Sequence, residues 1–230
     1  MRYFKISEIG PRKENQDRFS IAEQSERLLC CVADGVGGVE FGGLASDFIV
    51  EQFKLLDGIP TFRELETWIK SCHEQLVRKS VFEWNGRAAT TFTCGIISNN
   101  HIYGVHVGDS RVAIVRERDI EVVTDEHTEA GRRKKEDATL FEYLRFPRNS
   151  PIEAVVGIDG MLNIQRFYSQ VRSKDRIVLS TDGFHDIFPL SELLSLSKRN
   201  LNFDMFASKL KTEIDNRILR DNLTVIVVEV

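Results

Sequence analysis

The chain has 230 residues, 42% of them hydrophobic and 29% charged, with a formal net charge of −4. A chain of this size buries a core without cross-links, and its balance excludes fibrous, disordered and strongly basic nucleic-acid-binding classes. No apolar run approaches the roughly 18 residues of a membrane span, and residues 1–5 lack the apolar stretch of a secretory signal. The four cysteines, Cys30, Cys31, Cys72 and Cys94, form no C-x-x-C pair. They read as reduced core residues, and the chain as one cytoplasmic domain over 1–230 with neither membrane nor nucleic acid as partner.

Residues 2–9 and 18–23 alternate loosely and predict short strands, separated by the polar loop Gly10-Pro11-Arg12-Lys13-Glu14-Asn15-Gln16-Asp17. Residues 27–33 predict a buried strand that delivers Asp34 to the glycine-rich turn Gly35-Val36-Gly37-Gly38. A helix follows with Leu44, Phe48, Ile49, Phe53 and Leu56 on one face, broken by Gly58-Ile59-Pro60. Thr61-Phe62-Arg63-Glu64 has the capping-box pattern, so a second helix starts there with the stripe Leu65, Trp68, Ile69, Cys72 and Leu76. Four strands follow in quick succession at 90–98, 101–107, 110–115 and 120–124, broken at Asn99-Asn100 and Arg118-Asp119. Residues 125–150 are polar, carry Arg132-Arg133-Lys134-Lys135, and predict a long functional loop or flap. The basic run reads as a solvated loop tip, with contact to a phosphorylated partner as its alternative. Strands resume at 165–171 and 176–180. A helix from Asn202 carries Phe203, Phe206, Ala207, Leu210, Ile214 and Ile218, and a last strand covers 223–230. Runs of strands set between runs of helices indicate an α+β layered domain of antiparallel sheet rather than a parallel βαβ fold.

Five aspartates share one local grammar. Asp17 precedes a strand, Asp34, Asp109 and Asp182 follow strands, and Asp221 stands at the entrance to the last one. Any one of them is ordinary turn chemistry. Gathered at one sheet rim, they would repel one another unless a hard divalent cation with oxygen ligands, Mg²⁺ or Mn²⁺, removed the penalty.

The ordered set Arg12-x-x-Asn15-Gln16-Asp17, Val32-Ala33-Asp34-Gly35-Val36-Gly37-Gly38, Val107-Gly108-Asp109-Ser110-Arg111, Ser180-Thr181-Asp182-Gly183 and Asp221-Asn222-Leu223-Thr224-Val225 resembles the type-2C, metal-dependent Ser/Thr protein phosphatases. Ala89-Thr90-Thr91, Thr124-Asp125-Glu126-His127 and the stretch Pro147-Arg148-Asn149 to Gly157 resemble further segments of that family. The resemblance covers 10–230 and implies two stacked antiparallel β-sheets flanked by helices, an αββα sandwich. It implies hydrolysis of phosphoserine and phosphothreonine in proteins by a metal-activated water. Asp34 would bridge two Mn²⁺ or Mg²⁺ ions, with the Gly35 carbonyl on one and Asp182 and Asp221 on the other. Asp17 would belong to the metal centre by orienting metal-bound water, Asp109 and Asp182 would hold a weaker third ion, and Arg12 would bind the substrate phosphate. The implied partners are phosphorylated proteins and the Ser/Thr kinase that supplies them.

Four positions depart from the family. Gln16 stands where many members carry Glu, Val36 where animal members carry a His proposed as general acid, and Val39 and Gly43 where a His and a Glu are common. The absence of that His is shared with compact bacterial members. The departures motivate an alternative, a catalytically weak phosphatase fold that binds a phosphorylated signalling partner. A third reading, a two-metal nuclease, lacks a basic groove signature. His101, His106 and His185 read as core or surface histidines, and His127 as ambiguous.

Overall fold

Residues 28–33 are apolar without interruption because strand β3 (Arg27–Asp34) is covered on both faces. Leu28, Cys30 and Val32 point into a core shared with the opposing sheet, while Leu29, Cys31 and Ala33 point into a core shared with helices. The computed structural model describes residues 1–37, 40–136 and 150–230, with the backbone alone at 133–136. Gly38, Val39, the 137–149 part of the expected flap with Pro147-Arg148-Asn149, and the side chains of Arg133, Lys134 and Lys135 lie outside the described residues.

Two five-stranded sheets form the centre. One runs β1 (Arg2–Glu8), β10 (Leu223–Glu229), β9 (Arg176–Ser180), β6 (Arg111–Val115), β7 (Ile120–Val122). The other runs β2 (Asp17–Gln24), β3, β4 (Phe92–Ile97), β5 (His101–Val107), β8 (Gln165–Gln170). Every neighbouring pair is antiparallel. Helices α1 (Gly42–Lys54) and α2 (Phe62–Phe82) share a core with the second sheet through Ile49, Phe53, Leu65, Ile69 and Leu76. Helices α5 (Leu190–Arg199) and α6 (Phe203–Asp215) share one with the first through Leu193, Phe206, Leu210 and Ile214. The order of layers is helix, sheet, sheet, helix, the expected sandwich. Each fully buried Leu, Ile or Phe in these layers stabilises by about 1.5–3 kcal/mol against exposure.

The capping box forms as read: the Thr61 amide donates to Glu64 Oε2 at 2.7 Å, and the Glu64 amide to Thr61 Oγ1 at 3.3 Å. Two expected helix-face residues do not pack. Leu44 is 45% exposed because α1 turns Ala45, Ile49, Val50 and Phe53 inward, and Ile218 is 88% exposed because α6 ends at Asp215. Among the described residues three helices were not expected: α3 (Glu129–Glu136) within the polar region, the one-turn α4 (Asp182–His185), and α5. Helix α5 starts after Pro189 and turns Leu193 and Leu196 inward. Among the described residues no helix is long and apolar enough to cross a membrane. All four cysteines are buried free thiols.

Candidate active site

Strand register brings the first two carboxylates together: Asp17 opens β2, Asp34 closes β3, and the two are paired across the ladder. On the other sheet β9 ends at Ser180, opposite Val225 of β10 and Arg111 of β6. That register leaves Asp182, Asp221 and Asp109 at one rim. The two rims are tied by Thr181. Its hydroxyl donates to Asp17 Oδ2 at 2.8 Å and accepts the Thr224 amide at 3.0 Å.

Asp34 is fixed through its backbone, which leaves its carboxylate to other work. Its amide donates to Thr91 Oγ1 at 3.0 Å, and its carbonyl accepts the Thr91 amide at 2.8 Å and the Thr90 hydroxyl at 2.9 Å. Gly35 permits the turn that follows, because a Cβ there would stand 2.6 Å from the Gly42 carbonyl oxygen. Asp182 begins α4, and its charge acts on Asp34 across the rim. Asp221 Oδ2 accepts Arg12 Nη2 at 2.5 Å, and Oδ1 accepts the Asn222 amide at 2.8 Å. A cleft of about 610 Å³ opens over this rim, lined among others by Arg12, Asp34, Gly35, Val36, Asp182 and Asp221.

Crowding has an electrostatic signature. Burial, above all, pushes Asp17 up to about 7 and Asp109 up to about 8. Burial and then the charges of Asp17, Asp182 and Asp109 hold Asp34 well above the usual carboxylate range, and Asp182 is raised as well. Arg12 is raised by its bond to Asp221.

The residues fit a hard divalent cation. Oδ1 of Asp17, of Asp109 and of Asp182 are buried without a hydrogen-bond partner, a cost of about 1–3 kcal/mol apiece or more for charged groups. Among the described residues no three His, Cys, Asp or Glu side chains close around one point as a ready-made cage. A closed cage is not what these ions require. Mg²⁺ keeps several waters and takes one or two carboxylates, so an open, half-satisfied carboxylate rim is compatible with it.

Several supporting residues carry no chemistry-bearing signal in the sequence. Asn222 accepts the Gln16 amide at 2.9 Å and donates to the carbonyls of Ile9 at 2.7 Å and Glu14 at 2.9 Å. It thereby clamps the loop that carries Arg12 to the strand that follows Asp221. Asn15 Oδ1 accepts the Asp17 amide at 3.0 Å, and Thr91 Oγ1 lies 3.0 Å from Ser110 Oγ beside Asp109. Their marks in the sequence were their places in Asn15-Gln16-Asp17, Ala89-Thr90-Thr91, Asp109-Ser110 and Asp221-Asn222. Gln16 donates to Glu14 Oε1 at 2.5 Å and lines the cleft, as does Val36. Gly43 lies in α1.

The histidines take other roles. His106 is fully buried, its Nε2 donating to the Asp125 carbonyl at 3.0 Å and its Nδ1 accepting the Thr93 hydroxyl at 2.7 Å. His127 Nδ1 accepts the Gly108 amide at 3.2 Å, and its ring stands 4.8 Å from that of His106. His101 lies 5.8 Å from the Tyr103 and Tyr168 rings, and His185 reaches Ser180 Oγ at 3.3 Å.

Burial, then His127, depresses His106 to about 3 from an ordinary 6.5. The unfolded chain therefore binds a proton below 6.5 that the folded chain refuses. The stability present above 6.5 is lost as pH falls toward 3. The expected loss from this residue is about 2–3 kcal/mol by about pH 4.5. Denaturant melts of wild type and His106→Gln check this, the variant showing the shallower acid decline.

Residues 7–224 match the family described as Protein phosphatase 2C. The Listeria welshimeri Serine/threonine phosphatase stp is 26% identical, over 95% of this chain and 91% of its own. The Streptococcus pneumoniae Protein phosphatase PhpP is 22% identical, over 97% and 95%. Among solved structures, the Staphylococcus aureus Serine/threonine phosphatase Stp1 superposes with a TM-score of 0.86 at 24% identity, covering 99% of this chain and 94% of that one. The Mycobacterium tuberculosis serine/threonine phosphatase PstP/Ppp gives 0.83 at 23%, covering 100% and 98%.

Proposed function

This chain belongs to the protein phosphatase 2C family, and from that premise we propose that its aspartate rim holds two Mn²⁺ or Mg²⁺ ions and hydrolyses phosphoserine and phosphothreonine in proteins. The observation that carries the site assignment is the set of three buried, unpartnered carboxylate oxygens, on Asp17, Asp109 and Asp182, beside the Asp34 turn. Asp34 and the Gly35 carbonyl, with Asp182 and Asp221, would hold the two ions, and Asp109 with Asp182 a weaker third. Divalent ions held there supply Lewis-acid activation of water and neutralise charge developing on the phosphoryl group.

The chain's own residues do the rest. Arg12 stands at the cleft with its guanidinium half exposed, and a substrate phosphate offers it a bidentate partner in place of Asp221. Asp17, fixed by Thr181 through Oδ2, has Oδ1 free to accept a proton or a hydrogen bond from water at the rim. Val36 offers no proton donor at the cleft, so departure of the serine or threonine oxygen draws its proton from water. The complete set of five aspartates supports turnover over the binding-only alternative. The substrates would be proteins phosphorylated by a Ser/Thr kinase in the cytoplasm.

The test is hydrolysis of a phosphoserine peptide by chelator-stripped protein with and without added Mn²⁺. Turnover that appears only with the metal is expected. Turnover in excess chelator, or none in either condition, would overturn the reading. Arg12→Ala is expected to lower kcat/KM about 10–100-fold, chiefly through KM, with Arg12→Lys between it and wild type.

A further inference from the structure

A second groove, of about 480 Å³, adjoins the cleft and shares Val36, Gly37 and Ile152 with it. It is lined by Arg87 and by the segment 152–163, and Arg12 is not part of it. Its floor is held in place on several sides. Val156 and Thr90 exchange two backbone hydrogen bonds, of 3.0 and 2.9 Å, and Thr90 in turn holds the Asp34 carbonyl. The Gly157 amide donates to His73 Nδ1 on α2 at 3.2 Å. Gly157 has φ +104, and a Cβ there would meet the Ala88 carbonyl oxygen at 2.5 Å. The groove floor and the Asp34 turn are thus one connected unit.

The lining has a definite chemistry. Ala154 is buried, Ile152 and Leu162 are half-buried, and Met161 stands fully exposed at the edge. Arg87 is exposed and has no ion-pair partner among the described residues. Of the two acidic lining residues, Glu153 is engaged by Arg132 at 3.0 Å, and Asp159 stands exposed on the 152–163 wall, across the groove from Arg87. An apolar floor with a cation at its margin, continuous with a phosphate cleft, suits a polypeptide segment better than a small phosphate ester.

We propose that this groove receives the phosphoprotein's chain on one side of the phosphorylated residue, taking an apolar side chain against Ile152, Ala154 and Leu162 and a carboxylate side chain at Arg87. This specificity surface rests on the phosphatase reading above, since that reading puts the phosphorylated residue in the adjoining cleft.

The experiment compares phosphoserine peptides in which a Leu and a Glu are scanned through positions on either side of the phosphoserine. The reference peptides carry Ser and Lys instead, and p-nitrophenyl phosphate serves as the small substrate. At one side, wild type is expected to prefer the Leu/Glu peptide about tenfold in kcat/KM, through KM, the range one apolar pocket or one ion pair supplies. Arg87→Glu is expected to reverse the Glu-over-Lys preference, and Leu162→Ala to weaken the Leu preference. Each effect is read as the ratio of peptide to p-nitrophenyl phosphate kcat/KM. Equal rates on all peptides within about twofold, or a loss equal on peptide and p-nitrophenyl phosphate, would overturn the groove assignment. Fluorescence anisotropy of dye-labelled phosphopeptides without metal separates the two readings. Sequence preference and its Arg87→Glu reversal in binding support the groove even where turnover is absent, whereas turnover without binding preference upholds the phosphatase and removes the groove.

Discussion

Asp34→Asn is expected to lower kcat/KM on a phosphoserine peptide at least ~10³-fold, about 4 kcal/mol of transition-state stabilisation. The same change is expected to leave the metal-free protein as stable as before, or to raise its Tm by about 2–4 °C, the equivalent of about 1 kcal/mol in a chain of this size. Both follow from one fact. Asp34 sits among Asp17, Asp182 and Asp109, and burial with those charges already drives its carboxyl well above the normal range. Asn keeps the shape and removes the charge. It relieves the repulsion that the fold tolerates and forfeits the anion that a divalent ion needs, a trade of stability against function. Thermal melts in chelator and steady-state kinetics in Mn²⁺ give the two readouts. Retained activity together with a lower Tm would contradict the assignment.

Asn222→Ala carries the second large effect, and through architecture. The side chain is 5% exposed and makes three hydrogen bonds that tie residues 9–16 to the entrance of β10. Removing it leaves one amide and two carbonyls to find other partners, an expected cost of about 2–3 kcal/mol. Because that loop bears Arg12 and leads into Asp17, kcat/KM is expected to fall at least about tenfold as well. Asn222→Asp separates the contributions. It can still accept from Gln16, but it has no N–H for Ile9 or Glu14 and adds another carboxylate to the rim. Urea titration and kinetics of both variants check this, the expected order of stability being wild type, then Ala, with Asp no better than Ala.

The rim was legible in the sequence because its parts obey local rules. An apolar strand that ends in Asp-Gly must turn, and Asp34 does so at the end of β3. The uninterrupted run 28–33 announced two covered faces, which the cores on either side of β3 explain. What local rules do not encode is the pairing of distant strand ends. Asp17 opposite Asp34 is a matter of register, and Asp17 bonded to Thr181 links positions on different sheets. Asn222 illustrates the same limit. It looks like a turn residue until the loop at 9–16 folds against it. Leu44 and Ile218 failed for a related reason, since apolar spacing alone does not say where a helix ends or which edge of its stripe stays in water.

The most direct measurement is calorimetric titration of Mn²⁺ into chelator-stripped protein, repeated on Asp34→Asn. The expected result is binding of two ions per wild-type chain, and loss of that binding in the variant. No heat of specific binding by wild type, or equal binding by both proteins, would contradict a metal centre at this rim.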